Sequence, residues 1–168
     1  MKQMSKSSFR SPGEYVVLKV AESTGPIVSA AADVADYLRA DAQSSREWFR
    51  VLYLNVKNAV ILNKLEFIGT VDSSAVYPRE VIVSALGCGA SCIVLAHNHP
   101  SGDPSPSLCD KEITKAIVFA AATMSIKVLD HVIIGAGAKG AHYSMADQGE
   151  IDSYTMSAAS YASASLGR

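Results

Sequence analysis

A chain of 168 residues, 49% of them hydrophobic, can enclose one core and is short for two, so one domain is expected. Its net charge of −1 supplies no field that would attract phosphate backbones regardless of sequence, which argues against nucleic acid as a partner. No apolar run approaches the roughly 18 residues that span a bilayer, no signal-peptide core follows Met1, and three cysteines are an odd number for a disulfide framework; a cytoplasmic protein with no membrane association is expected.

Residues 1–12 are rich in Ser and Lys and read as a flexible leader. Tyr15–Val20 is β-branched and predicts a strand, and residues 27–42 place Ile27, Val34, Tyr37 and Leu38 at helical spacing. Residues 48–70 read as a β-hairpin turning at Val56-Lys57-Asn58. Pro78 suits a helix start, and Gly87 or Gly89 a left-handed stop. The apolar run 91–96 predicts a strand buried on both faces, with His97 at its exit. A Pro-, Ser- and Gly-rich loop precedes a helix over 108–124, followed by a strand at Lys127–Ile134, a turn at Gly135–Gly140 and an edge strand from His142. Residues 151–168 form a low-complexity tail, frayed or weakly helical over its last stretch. The expected fold is α/β in the mixed sense: a single domain over residues 13–150, with a mixed β-sheet and helices on its faces.

The chemistry concentrates between residues 97 and 110. Strand side chains alternate, so His97 and His99 can present two imidazoles to one ion, and the loop 100–106 can bring Asp110 back as a third ligand. Two histidines and a carboxylate leave a tetrahedral ion one position for water, the arrangement of catalytic zinc. A plainer account of Ser107-Leu108-Cys109-Asp110 is a capping box, which excludes nothing, since one carboxylate can cap and ligate. Asp103, between Gly102 and Pro104, reads as a turn former. Cys109 points about 100° away from Asp110 on a helix, and Cys88 and Cys92 read as small buried residues. His131 and His142 lack partners at metal spacing and read as structural or outer-shell residues.

His97, His99, Ser107 and Asp110 reproduce the JAMM signature HxHx7SxxD, and HNHPSGDPSPSLCD resembles the RadC-like branch of the JAB/MPN family. Tyr53-Leu-Asn-Val-Lys-Asn, Phe67-Ile-Gly-Thr-Val-Asp-Ser-Ser, Pro78-Arg-Glu and Leu129-Asp-His-Val-Ile-Ile-Gly extend the resemblance over roughly residues 14–150. It implies a JAB/MPN fold with Zn2+ held by His97, His99 and Asp110, Ser107 as a hydrogen-bond donor and an upstream glutamate as general base. Glu47, at the entrance of the strand from Trp48, is taken for that base, with Glu66 and Glu80 as rivals.

The resemblance implies a zinc-dependent hydrolase of peptide or isopeptide bonds acting on a peptide or protein substrate, ubiquitin-like tails included. One alternative is a DNA-repair-associated RadC-like protein, which neither the charge nor the short leader, too short for an N-terminal DNA-binding helical domain, favours. Another is a non-catalytic MPN interaction module, against which the full ligand set counts.

Overall fold

The structure, a computed structural model, describes residues 25–69, 76–137 and 141–166. The expected leader, the strand at Tyr15–Val20 and residues 138–140 of the expected turn lie outside them.

Helix α1 (Ala31–Tyr37) is shorter than the helix expected over 27–42, and a 3-10 turn at Asp41–Gln43 follows it. Backbone groups explain the late start: Val60 N–H donates to the Pro26 carbonyl and Val28 N–H to the Asn58 carbonyl, each at 2.9 Å. Those residues are committed to a strand-like pairing, and Ile27, bridged to Ala59, is exposed instead of buried. Asp33 completes the helix start by accepting from the N–H groups of Ser29 and Ala30.

Strands β1 (Trp48–Leu54) and β2 (Val60–Ile68) form the expected antiparallel hairpin. Asn55 shapes its turn, its side-chain oxygen accepting from Lys57 N–H at 2.9 Å and Ala59 N–H at 3.1 Å. Helix α2 (Pro78–Cys88) starts on Pro78 and stops at Gly89, whose φ of 69° suits a residue without Cβ. Strand β3 (Cys92–His99), helix α3 (Leu108–Thr123) and strand β4 (Lys127–Gly135) form a strand–helix–strand unit in which β3 and β4 lie parallel. Strand β5 (His142–Ser144) pairs antiparallel with β4.

Among the described residues the sheet has five strands in the order β2-β1-β3-β4-β5, with the one parallel pair at its middle. This is the mixed α/β fold that interleaved hairpin and helix signals lead to. Alternation divides the buried strands between two cores. Phe49, Val51, Ile93, Leu95 and Ile133 face α2 and α3, while Leu52, Val94, Ala96 and Val132 face α1.

Helix α4 (Glu150–Leu166) departs from the frayed or weakly helical end expected. Alanine is the strongest helix former, Ile151 and Ala158 are buried, and Glu150 accepts from the Tyr143 hydroxyl at 2.7 Å and from Lys111 Nζ at 3.2 Å. Tertiary contacts therefore anchor a stretch whose composition alone looks featureless. No helix among the described residues is long and apolar enough to cross a membrane.

Candidate metal centre

Strand β3 continues through both histidines, beyond the exit expected at His97, because β4 pairs with it as far as Gly135 opposite His99. A Cβ on Gly135 would come within 2.2 Å of the Gly102 carbonyl oxygen, so only glycine lets the loop after His99 close over the end of β4. Alternation then puts the His97 and His99 rings on the α3 side of the sheet. The return of the chain at Ser107 delivers Asp110 from the first turn of α3 to the same place.

His97 Nε2 lies 2.9 Å from His99 Nε2, and the Asp110 carboxylate lies 3.3 Å from the first and 3.8 Å from the second. Donors around a tetrahedral zinc, with bonds near 2.1 Å, are separated by roughly 3.4 Å. The observed spacings bracket that value. The His99 ring is also oriented for ligation: its Nδ1 is 2.7 Å from the Asp103 carbonyl, which can only accept, so Nδ1 carries the hydrogen and a neutral ring has its lone pair on Nε2. Among the described residues, His97, His99 and Asp110 are the group of titratable side chains whose ligand atoms converge in this way. The donor set, two imidazoles and a carboxylate, fits zinc.

Burial pushes the His97 imidazole below its ordinary pKa, against the opposing pull of Asp110 and, more weakly, Glu47. His99 goes the other way. The adjacent Asp110 carboxylate raises it, with smaller contributions from the Asp103 carbonyl and Glu47, against partial burial. A proton entering the cluster therefore rests on His99. Burial opposes charge on Asp110 too, but the two rings and the Ser107 hydroxyl outweigh it and hold the carboxyl well below the usual carboxylate range.

Ser107 caps α3: its Oγ accepts from Asp110 N–H at 3.2 Å, and its own N–H and hydroxyl each donate to Asp110 Oδ2 at 2.7 Å. The capping box and the candidate ligand cluster thus share Asp110. Glu47 lies just before β1, half-buried, with its carboxylate in electrostatic reach of both histidines. Glu66 accepts from the Tyr53 hydroxyl and Lys64 Nζ, each at 2.9 Å, and Glu80 pairs with Arg79 at 3.3 Å. Asp103 accepts from Ser105 as a turn former does, Cys109 is outside the ligand group, and His142 is exposed.

Sequence reasoning passed over Asn98, which points away from the two rings it separates. Fully buried, it accepts from Trp48 N–H at 2.8 Å and donates to the Arg46 carbonyl at 3.3 Å, pinning the segment that bears Glu47 to β3. No local spacing announces a contact between residues fifty positions apart. Asn98→Ala is expected to leave the Trp48 N–H buried and unpaired, lowering stability by about 1–3 kcal/mol in chemical denaturation. A loss below about 0.5 kcal/mol would show that the segment holds itself in place.

The RadC-like JAB domain family matches residues 28–150. The UPF0758 protein PM1152 of Pasteurella multocida (strain Pm70) is 44% identical over 116 residues, covering 68% of this chain and 50% of the relative. A UPF0758 protein of Actinobacillus succinogenes is 46% identical over 113 residues, covering 67% of this chain and 50% of the relative. The chain thus spans about half the length of these relatives. With the HxHx7SxxD residues assembled on the expected mixed sheet, the match settles the family: the chain belongs to the RadC-like JAB domain family.

Proposed function

We propose that this chain is a zinc-dependent hydrolase of peptide or isopeptide bonds. The observation that carries the reading is the convergence of two imidazole nitrogens and a carboxylate, 2.9 to 3.8 Å apart, at the end of a buried strand. His97 is sealed and His99 partly exposed, so the cluster is reached from one side.

His97, His99 and Asp110 would hold the zinc, three protein ligands being the number that leaves room for water. When bound, such an ion polarises a carbonyl and brings the pKa of its water to about 7. Glu47 accepts the proton of the attacking water on a carboxylate oxygen and passes it to the leaving nitrogen. Ser107, held beside Asp110 by its backbone N–H and the Asp110 N–H, would redirect its one hydroxyl proton from Asp110 Oδ2 to the developing oxyanion, a contact worth on the order of 3 kcal/mol.

Peptide or protein segments, ubiquitin-like tails among them, are the proposed substrates, in the cytoplasm. The unpaired state of Cys88, Cys92 and Cys109 supports a reducing compartment. A net charge of −1 weighs against nucleic acid, and a complete ligand set weighs against a purely scaffolding role.

The test is metal analysis of the purified chain, with wild type and Glu47→Gln compared on peptide, isopeptide and single-stranded DNA substrates. Zinc-dependent cleavage of an amide bond, lost in the variant, is expected. DNA cleavage surviving both the substitution and chelation would defeat the proposal. Ser107→Ala is expected to keep zinc, to lose about 1 kcal/mol through the missing cap, and to lose most turnover. Unchanged turnover would leave Ser107 a cap and nothing more.

A further inference from the structure

His131 is fully buried on β4, reads locally as an isolated histidine, and is not a ligand. Its Nε2 lies 2.8 Å from His97 Nδ1, on the side of the His97 ring away from the ligand cluster. Its other nitrogen, Nδ1, contacts the hydroxyl of Thr114, also fully buried, and that hydroxyl contacts the backbone carbonyl of Asp110 one helical turn earlier.

The direction of every bond in this chain follows from its last member. A carbonyl oxygen only accepts, so the single Thr114 hydroxyl proton goes to Asp110. The Thr114 oxygen must then receive from His131 Nδ1–H, and an uncharged His131 has a bare Nε2. His97 can only donate to it, through Nδ1–H. An uncharged His97 is left with its lone pair on Nε2, the atom 2.9 Å from His99 Nε2 and 3.3 Å from the Asp110 carboxylate.

Resting on the metal reading above, we infer that His131 and Thr114 are positioning residues that lock His97 in its Nδ1–H tautomer and so hold its ligating nitrogen ready for the metal. The chain begins on the backbone of one ligand residue and ends on the ring of another, tying β3, β4 and α3 to the same centre. Phe49 completes the enclosure. Its ring stacks on His97, with centroids 6.1 Å apart and planes 11° from parallel, and meets His131 edge-on at 5.3 Å, which keeps both rings from turning. Outer partners of ligating histidines fix ring orientation and tautomer, and their loss typically costs 10–100-fold in metal affinity.

The experiment uses the 15N-labelled, metal-free chain of 168 residues. Long-range proton–nitrogen correlation spectra of the histidine rings are expected to show His97 and His131 as Nδ1–H tautomers. In Thr114→Val, which keeps the side-chain shape and removes the hydroxyl, the His97 signals are expected to shift toward a tautomer mixture. Zinc affinity, measured by competition with a chromogenic chelator, should fall about 10–100-fold, and Thr114→Ser should restore both signals and affinity.

A wild-type His97 that is predominantly Nε2–H would overturn the inference without recourse to any variant. So would wild-type spectra and zinc affinity in Thr114→Val. A wild-type chain that shows the Nδ1–H tautomer yet binds no zinc would instead sink the metal reading and leave the relay standing.

Discussion

Glu47→Gln is expected to lower kcat on an isopeptide substrate by about two to four orders of magnitude, the usual contribution of a positioned general base, with zinc affinity within a few-fold of wild type. The substitution is close to isosteric and removes the capacity to take a proton together with a negative charge felt by His97 and His99. The backbone of Glu47 is held independently of its carboxylate: its carbonyl accepts from Gly69 N–H at 2.9 Å, and Asn98 secures its neighbours Arg46 and Trp48. Loss of turnover with zinc retained therefore separates the chemical step from assembly of the centre. Glu66→Gln, which disturbs contacts with Tyr53 and Lys64, and Glu80→Gln, on α2, serve as controls with activity near wild type. Turnover of Glu47→Gln within tenfold of wild type, or a collapse in one of the controls, moves the base elsewhere.

Asp110→Asn addresses the other half of the centre, the overlap of cap and ligand. Asparagine retains a side-chain oxygen to accept from Ser107 N–H and so keeps one arm of the capping box, but it has no charge to offer a cation. Zinc affinity is expected to fall more than about 100-fold, beyond the range typical of outer-shell substitutions. The metal-free variant should still show cooperative unfolding and the helical content of α3. Should the variant bind zinc as wild type does, Asp110 is a cap alone and the ligand set must be redrawn. Complete unfolding would instead mark the carboxylate as a structural requirement, and Asp110→Glu would then report on metal affinity in a folded chain.

Much of this centre was legible without coordinates because its parts are close in the chain and obey local periodicities. Two histidines separated by one residue on an apolar run must share a face of a strand, and a Pro- and Gly-rich loop followed by Ser-x-x-Asp announces a cap that returns a carboxylate to the strand end. The hairpin, Pro78 as a helix start and a helix from about residue 108 follow from the same kind of signal. Local signals failed where distant backbone intervened. The helix expected from Ile27 begins at Ala31 because residues 26–28 pair with residues 58–60, and the featureless end of the chain becomes α4 because it finds Lys111 and Tyr143.

What the amino-acid sequence determined by itself was the grouping of His97, His99 and Asp110 and the class of sheet that carries it, since both rest on residue type and short-range spacing. Only the tertiary structure decided how the triad is supported. Asn98 holds the Glu47 segment from fifty residues away, His131 meets His97 across 34 residues of chain, and Thr114 meets His131 across 17. The physical reason is that hydrogen bonds are satisfied across space. A buried polar side chain takes the partner that parallel pairing of β3 with β4 and the seating of α3 bring to it, and no period along the chain encodes that meeting.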